Sequence, residues 1–218
     1  MIKVKICGIN SADAFDAAYA AGADWIGFVF FPPSPRAVTP AQARELSSRK
    51  RGGPLRVGLF VAPDEAFIAT TLAEVELDIL QIYRVDLARA AALKRRFGRA
   101  VWWAAEVAAA EDLPVAADGI AAVVLDAKAP PEATRPGGNA QPFSWSLLQG
   151  WNPPFPWILA GGLTPANVGT AIAASGAKAV DVSSGVERAP GVKDPALIAA
   201  FITAAREADR YEKGNIRD

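Results

Sequence analysis

Short apolar segments of strand length recur along the chain, and segments with helical periodicity alternate with them. Most of these apolar segments do not alternate strictly with polar residues, which is typical of strands that are covered on both faces. The pattern predicts eight strands, at 3–7, 25–30, 56–61, 78–83, 100–104, 120–126, 157–160 and 179–183.

Strands that alternate with helices indicate a parallel sheet whose strands are joined by crossover helices. Eight such repeats in 218 residues predict a single α/β domain, a closed (βα)₈ TIM barrel at the short end of its usual size. An open, doubly wound sheet is the alternative, but no strand is followed by the G-x-G-x-x-G turn that is typical of that fold.

Capping residues and prolines place the helices between these strands. Ser11 precedes a helix that ends at Gly22, and the pairs Thr39-Pro40 and Thr164-Pro165 each open a helix. The other expected elements are helices at 63–74, 87–97 and 195–211, a weak helix at 107–113, a short helix after Ser144, a long loop at 127–142 and a frayed polar tail at 212–218.

Composition and charge narrow the classes of partner. The chain has 23 Lys and Arg against 23 Asp and Glu, so its formal charge is zero and it lacks the basic surplus that nucleic-acid binding requires. No apolar run is long enough to span a bilayer, and no signal peptide is evident. We therefore expect no nucleic-acid or membrane partner and, with one cysteine and no internal disulfide, a cytoplasmic location.

The chain contains no histidine. This absence excludes Ser-His-Asp and Cys-His nucleophilic sites, and it removes the commonest ligands of zinc. Any acid–base chemistry must therefore use carboxylates, Lys, Tyr or the single cysteine, Cys7.

Active sites of such barrels lie at the carboxyl ends of the strands. At the end of the first strand, Lys3, Lys5 and Cys7 share one face and Val4 and Ile6 share the other. A thiol acts as a base only as the thiolate, a form that a neighbouring Lys5 ammonium would favour. A lone cysteine is also common as a small buried packing residue, so this strand by itself favours packing.

Charged and polar residues end several other strands. Asp126 closes an almost wholly apolar strand, where burial would raise its pKa and let it carry a proton near neutral pH. Asp181 either contacts a ligand or pairs with a lysine of the first strand inside the barrel. Arg36 follows three prolines and suits a carboxylate or a phosphate. We expect further substrate contacts from the two polar residues of the fourth strand, Gln81 and Tyr83.

Two glycine turns follow the last two strands, where barrels often bind phosphate through backbone N–H groups. They predict a phosphate site made by Gly161, Gly162, Ser183, Ser184 and Gly185, although such turns are also ordinary strand-to-helix connections. Other charged residues are expected to be solvated, namely Glu106, Lys128 and Arg135.

A series of short motifs resembles one enzyme family over almost the whole chain. In order they are Lys-Ile-Cys-Gly at 5–8, Gly-Phe-Val-Phe at 27–30, Ser-Pro-Arg at 34–36, Val-Gly-Leu-Phe-Val at 57–61, Leu-Gln at 80–81, Leu-Asp at 125–126, Pro-Gly-Gly at 136–138, Leu-Ala-Gly-Gly-Leu at 159–163, Val-Asp-Val-Ser-Ser-Gly-Val-Glu at 180–187 and Gly-Val-Lys-Asp at 191–194. Each motif is short, but their joint order resembles the phosphoribosylanthranilate isomerases of tryptophan biosynthesis.

The resemblance implies an Amadori rearrangement without cofactor or metal, in which N-(5-phosphoribosyl)anthranilate becomes 1-(2-carboxyphenylamino)-1-deoxyribulose 5-phosphate. The general base of the family matches Cys7 and its general acid matches Asp126. The arginine that binds the anthranilate carboxylate matches Arg36, and the phosphate cradle matches the two glycine turns. We expect the protein to be either a monomer or a homodimer.

The sequence departs from the resemblance at three places. Tyr83-Arg84 stands where the family usually has His-Gly, Asn139-Ala140 stands where it usually has Thr-Gly, and Ser144 stands where it usually has Asp. Two alternatives remain open. A histidine-pathway isomerase uses an aspartate pair, which the cysteine at the end of the first strand argues against. A barrel that binds a phosphorylated ligand without turnover is the other.

Overall fold

The structure is a computed structural model that describes residues 1–129 and 143–214. Its eight parallel strands pair in chain order, and the last pairs with the first, so the sheet is a closed barrel. The predicted (βα)₈ fold is therefore confirmed. The strands are β1 Lys3–Cys7, β2 Trp25–Val29, β3 Leu55–Val61, β4 Ile79–Tyr83, β5 Ala100–Val107, β6 Ala122–Ala127, β7 Trp157–Leu159 and β8 Ala179–Val182.

Helices surround the barrel between most of these strands. They are α1 Ala12–Ala20, α2 Pro40–Ser48, α3 Glu65–Glu74, α4 Leu87–Phe97, α5 Val168–Ser175 and α6 Pro195–Gly214. Short 3₁₀ turns occur at Ala110–Asp112, Trp145–Leu148 and Ser184–Val186. A small antiparallel hairpin of β9 Glu187–Ala189 and β10 Val192–Lys193, which the apolar pattern did not predict, follows β8. In the described parts of the chain, no helix is long and apolar enough to cross a membrane.

Two predicted helix caps are confirmed. The Ser11 hydroxyl accepts a hydrogen bond from the Ala14 N–H at the start of α1. Thr39 and Gln42 form a reciprocal capping box at the start of α2, where Pro40 occupies the first turn. These local signals fix where each helix begins after the strand that precedes it.

Two predicted helices differ markedly from the structure. The weak helix at 107–113 is wrong: β5 continues to Val107, and the Asp112 carboxylate then accepts the N–H groups of Ala108 and Ala109 to form a single 3₁₀ turn. After Thr164-Pro165, the Thr164 N–H donates to the Asn167 side chain, so α5 begins only at Val168.

At the C-terminus, α6 continues through Gly214, into the segment predicted to be frayed from 212. Residues 215–218 of that predicted tail lie outside the described residues. So does most of the predicted loop at 127–142, including the Gly-Gly-Asn-Ala stretch at 137–140 and Arg135.

Alternation along the strands divides the buried residues into two cores. Outward-facing residues such as Ile6, Phe28 and Phe60 pack against the helices. Inward-facing residues form a smaller core within the barrel, where the rings of Trp25 and Trp102 meet edge to face with centroids 5.1 Å apart. This inner core supports the side chains that point toward the carboxyl ends of the strands.

One glycine makes room for a charge inside this core. The Lys5 side chain points inward, is completely buried and places its ammonium 2.7 Å from the Asp181 carboxylate. Gly27 lies beside it on β2, paired with Cys7. A Cβ atom at Gly27 would lie 3.0 Å from Cys7 Sγ and 3.2 Å from Lys5 Cε. A side chain at this position would therefore displace both residues.

We predict that Gly27→Ala lowers the free energy of unfolding by about 1–3 kcal/mol, because an added methyl group overpacks a filled interior. The measurement is denaturant unfolding of the purified proteins. Gly169→Ala is the matched control, since Gly169 is helical and a Cβ there meets no atom within 4 Å. We expect that control to be as stable as the wild type or more stable. Equal stability of Gly27→Ala and wild type would contradict the packing argument.

Candidate active site

An open cavity with an empty volume of about 620 Å³ lies at the carboxyl ends of the strands. Its lining joins the inward-facing ends of six strands to the loops that follow them. The residues are Cys7, Val29, Phe31, Ser34, Arg36, Leu59, Val61, Tyr83, Asp126, Ala160, Gly161, Gly162, Leu163, Asp181, Ser183 and Ser184. Nine of the eleven residues predicted for the site therefore meet at one cavity.

The two exceptions lie behind the cavity lining. Gln81 is completely buried one layer below Tyr83, and its amide nitrogen donates to the Tyr83 hydroxyl. Gly185 lies where the two glycine turns touch, since a Cβ there would lie 1.8 Å from the Leu163 carbonyl oxygen. Only a glycine lets these loops approach so closely.

Cys7 lies within a buried group of charges. Lys5 forms an ion pair with Asp181, which was one of the two roles predicted for Asp181. The Lys5 ammonium is also close to the Cys7 thiol. Burial by itself would lower the pKa of Lys5, but the charges of Asp181 and Cys7 outweigh burial and raise it. Lys5 therefore stays a cation next to the thiol.

Burial raises the pKa of the Cys7 thiol, while the neighbouring Lys5 ammonium acts in the opposite direction. The expected influence of Lys5 is present, but burial outweighs it, so the net direction is upward. In the free protein the thiol form of Cys7 is therefore favoured over the thiolate at neutral pH.

Asp126 is held by hydrogen bonds at both carboxylate oxygens. Oδ2 accepts from the Tyr83 hydroxyl at 2.8 Å, and Oδ1 accepts from the Ala127 N–H at 2.9 Å. Burial raises the pKa of Asp126 to about 7, against the lowering effect of the Tyr83 hydrogen bond. The expected direction of this pKa is confirmed, and the carboxyl is half-protonated near neutral pH.

Glu106 differs from its prediction. It faces inward at the end of β5, in register with Asp126 on β6. Its side chain is partly buried rather than solvated, one of its carboxylate oxygens has no hydrogen-bond partner among the described residues, and its charge contributes to the raised pKa of Asp126. Lys128 is exposed, as expected.

Arg36 is buried by contacts that the sequence did not predict. Its Nε and Nη2 donate to the two oxygens of Glu187 at 2.7 and 2.8 Å. Lys193 donates to the same carboxylate at 2.8 Å and to the Ser183 carbonyl at 2.9 Å. Glu187 is only 4% exposed, and the cations of Arg36 and Lys193 outweigh the effect of burial and lower its pKa.

The hairpin of β9 and β10 packs closely against the loop that contains Arg36. Gly191, at the turn of the hairpin, has a positive φ of 79°, and a Cβ there would lie 2.3 Å from the Pro35 carbonyl oxygen. Asn10 donates to the Gly191 carbonyl at 2.9 Å. The loops after β1, β2 and β8 are thus tied together around Arg36.

The two glycine turns and Ser183 form the other side of the cavity. Gly161 and Gly162 both have positive φ angles, of 81° and 63°. A Cβ at Gly161 would lie 2.7 Å from the Ala127 nitrogen and 3.2 Å from Asp126 Oδ1. The Ser183 hydroxyl donates to the Cys7 carbonyl at 3.2 Å. These turns therefore lie against both Cys7 and Asp126.

Comparisons with known proteins agree with this geometry. A family model described as N-(5'phosphoribosyl)anthranilate (PRA) isomerase matches residues 4–204. The N-(5'-phosphoribosyl)anthranilate isomerase of Granulibacter bethesdensis is 52% identical over 206 residues, which cover 94% of this chain and 99% of the relative. The chain belongs to the PRA isomerase family.

Solved structures of PRA isomerases have the same fold. One, in complex with reduced 1-(o-carboxyphenylamino)-1-deoxyribulose 5-phosphate, superimposes with a TM-score of 0.82 at 32% identity and covers 95% of this chain and all of its own. Another is of monomers generated from the dimeric enzyme of Thermotoga maritima, with a TM-score of 0.81 at 33% identity over 95% of this chain and all of its own. Family members thus exist as monomers and as dimers.

The described residues of this PRA isomerase contain no group of three or more His, Cys, Asp or Glu side chains that could hold a metal ion. The charged groups that line or underlie the cavity are instead Lys5, Arg36, Asp126, Asp181, Glu187 and Lys193.

We predict that Glu187→Gln lowers the free energy of unfolding by about 3–5 kcal/mol near neutral pH, because it leaves two buried cations without their counter-ion. The pKa of Glu187 is lowered on folding, so its contribution is complete above the ordinary glutamate value and is lost as pH falls through the lowered one. The difference between wild type and variant should therefore shrink below about pH 4. Denaturant unfolding at pH 7 and pH 3.5 measures both.

Glu65→Gln is the control for this variant, because Glu65 pairs with Arg89 at 2.7 Å on an exposed surface. Such a pair contributes about 0–1 kcal/mol. A loss for Glu187→Gln no larger than that of the control would contradict the role assigned to the buried carboxylate.

Proposed function

We propose that this PRA isomerase acts by general acid–base catalysis, with Asp126 as the acid and Cys7 as the base. Family membership gives the reaction, the isomerisation of N-(5'-phosphoribosyl)anthranilate to 1-(2-carboxyphenylamino)-1-deoxyribulose 5-phosphate in tryptophan biosynthesis. The observation that carries the proposal is that Cys7 and Asp126 line one cavity between Arg36 and the two glycine turns.

The lining of the cavity suits the two charged groups of the substrate. Arg36 is a cation of this lining and would bind the anthranilate carboxylate, with its position fixed by Glu187. The turns at Gly161-Gly162 and Ser184-Gly185 would hold the phosphate through backbone N–H groups. Asp181, which lines the cavity with one oxygen unpaired among the described residues, would accept a sugar hydroxyl. Tyr83 also lines the cavity, where its hydroxyl donates to Asp126.

The reaction requires Asp126 to be protonated and Cys7 to be ionised in the same enzyme molecule. The protonated Asp126 gives its proton to the furanose ring oxygen; the bond from C1 to that oxygen breaks, and the nitrogen lone pair forms an iminium. The Cys7 thiolate then takes the proton from C2, and the C–H electrons form the C1–C2 double bond of an enolamine. Protonation at C1 and loss of the C2 hydroxyl proton give the ketone.

An isomerisation releases no net proton, so these last transfers return Asp126 to the acid and Cys7 to the thiolate. The small phosphosugar is the proposed partner, and no residue in this sequence of steps requires a metal or a cofactor. That the protein is a monomer or a homodimer, and that it is cytoplasmic, remain predictions from the sequence.

We predict that Cys7→Ala and Asp126→Asn each lose about 10²–10⁴-fold in turnover while remaining folded, because each removes one positioned proton transfer. The assay follows freshly generated phosphoribosylanthranilate with purified protein. Binding of the reduced product analogue is the control for an intact site. Retained turnover in either variant would refute the role of that residue, and a wild type that binds the analogue without turnover would favour the binding-only barrel. A competing aminosugar phosphate of the histidine pathway tests the other alternative.

The pH dependence of kcat/KM follows from the two pKa values. The pKa of Asp126 is about 7 and that of Cys7 is raised, so the acid has the lower value of the pair. The fraction with Asp126 protonated and Cys7 ionised then increases about tenfold per pH unit up to about pH 7, stays level, and falls above the pKa of Cys7.

We therefore expect kcat/KM to rise to a plateau that begins near pH 7 and extends to alkaline pH. Steady-state rates across this range measure it, and the pH dependence of analogue binding corrects for ionisation of the substrate phosphate. A rate that instead falls on passing pH 7 would mean that Cys7 already ionises below that pH.

A further inference from the structure

Three buried side chains form a continuous hydrogen-bonded row that ends at the proposed acid. Gln81 Nε2 donates to the Tyr83 hydroxyl at 3.3 Å, and that hydroxyl donates to Asp126 Oδ2 at 2.8 Å. Gln81 is completely buried, and Tyr83 and Asp126 are 3% and 5% exposed. The row therefore has little exchange with solvent, and its geometry is set by the barrel.

The barrel provides the space that this row needs. Gln81 and Tyr83 lie on β4 and Asp126 lies on β6, so the row crosses the strand between them. The inward-facing residue of β5 at the level of Tyr83 is Ala104, since Ile82 pairs with Trp103 in this register and Ala104 is the next residue along β5. A short side chain there lets the phenol reach the carboxyl two strands away.

The proposed reaction requires Asp126 to change its protonation state during each cycle. In each cycle it begins as an acid and becomes a carboxylate before it is protonated again. A carboxylate accepts hydrogen bonds only, whereas a carboxylic acid must also place one donor. A neighbour that can only donate would suit one state and oppose the other.

Gln81 and Tyr83 can serve both states. With Asp126 ionised, the bonds run from Gln81 through Tyr83 to the carboxylate, as in the structure. With Asp126 protonated, its O–H can donate to the Tyr83 oxygen, and the Tyr83 O–H can donate to the Gln81 carbonyl after the amide turns over. Gln81 Oε1 has no hydrogen-bond partner among the described residues, so it is available for that role.

We propose that Tyr83, supported by Gln81, is the positioning residue of Asp126 and keeps its carboxyl in one orientation in both protonation states by reversing the two hydrogen bonds. This assignment rests on the proposed role of Asp126 as the acid. It differs from the expectation that Gln81 and Tyr83 mainly bind substrate, because Gln81 does not line the cavity and the hydroxyl of Tyr83 is already engaged.

Other charged groups near Asp126 act on its charge but do not hold it. Asp181 on β8 and Glu106 on β5 are carboxylates that raise its pKa, while Cys7 and Arg36 line the same cavity. Each of them remains in a Tyr83 variant. A change in rate or pH profile on removing the Tyr83 hydroxyl is therefore due to loss of the hydrogen bonds from Gln81 through Tyr83 to Asp126.

The test is Tyr83→Phe, which keeps the ring and removes the hydroxyl. Loss of a hydrogen bond to the charged form moves the start of the kcat/KM plateau upward by about one pH unit, because Asp126 then ionises less readily. That change by itself would raise the plateau, since more enzyme has the acid protonated. If Tyr83 positions the Asp126 carboxyl, the plateau value of kcat/KM instead decreases by about 10–100-fold. The decrease is in kcat, with KM nearly unchanged.

Binding of reduced 1-(o-carboxyphenylamino)-1-deoxyribulose 5-phosphate, measured by calorimetry, separates positioning from substrate contact. We expect the affinity of Tyr83→Phe to stay within about twofold of wild type, since the proposed function of Tyr83 here is to hold Asp126. Tyr19→Phe, on α1 away from the cavity, is the matched control and should leave rate, pH profile and affinity unchanged.

Gln81→Met provides an independent variant should Tyr83→Phe fold poorly. It keeps the volume, removes the spare carbonyl and should lower kcat in the same direction as Tyr83→Phe, with affinity retained. An unchanged or higher plateau in the hydroxyl variant, or a loss that appears only in KM and analogue affinity, would overturn the proposal. An inactive wild type, or an Asp126→Asn variant with full activity, would instead refute the proposed function on which it rests.

Discussion

The buried ion pair of Lys5 and Asp181 is the interaction on which the rest of the site depends. It joins β1 to β8 and so closes the barrel, with an ammonium that no solvent reaches. A buried charge is tolerated only with a partner at close range, and here the partner is 2.7 Å away. The same ammonium is next to Cys7, so the pair that closes the sheet also contributes to the electrostatic surroundings of the proposed base.

The proposed acid, Asp126, and the proposed base, Cys7, lie in contrasting environments. Cys7 lies on the side of the cavity with the cations of Lys5 and Lys193, both of which favour its thiolate. Asp126 lies on the other side, among apolar residues and near two further carboxylates, all of which favour its neutral form. Asp126 is thus moved toward the protonation state that its proposed step requires, whereas burial outweighs both cations at Cys7 and keeps the pKa of the thiol high.

Much of the fold and part of the site followed from the sequence. Apolar runs identified the strands, and strand ends placed Cys7, Arg36 and Asp126 at one cavity, because parallel strands of a barrel end together. The weak helix at 107–113 was wrong because β5 continues to Val107, and Glu106, which was expected to be solvated, faces the interior near the end of that strand.

The network around Arg36 could not be predicted in the same way. Glu187 and Lys193 lie in a hairpin of five strand residues, too short for a periodic apolar pattern. The pairing of Glu187 with Arg36 joins residues 151 positions apart and depends on how three loops meet. The row from Gln81 to Asp126 also escaped prediction, since alternation gives the face of a side chain but not which neighbour across the barrel it reaches.

The hairpin after β8 has a consequence for the order in which the protein is completed during synthesis. Arg36 obtains its buried counter-ion from Glu187, and Lys5 obtains its own from Asp181, 176 residues further along the chain. While β8 and the hairpin of β9 and β10 are still within the ribosome, both cations lack these partners, and the first strand has no eighth strand to pair with. The nascent barrel therefore stays open at this seam, and the Arg36 side of its cavity is assembled only after these strands have emerged.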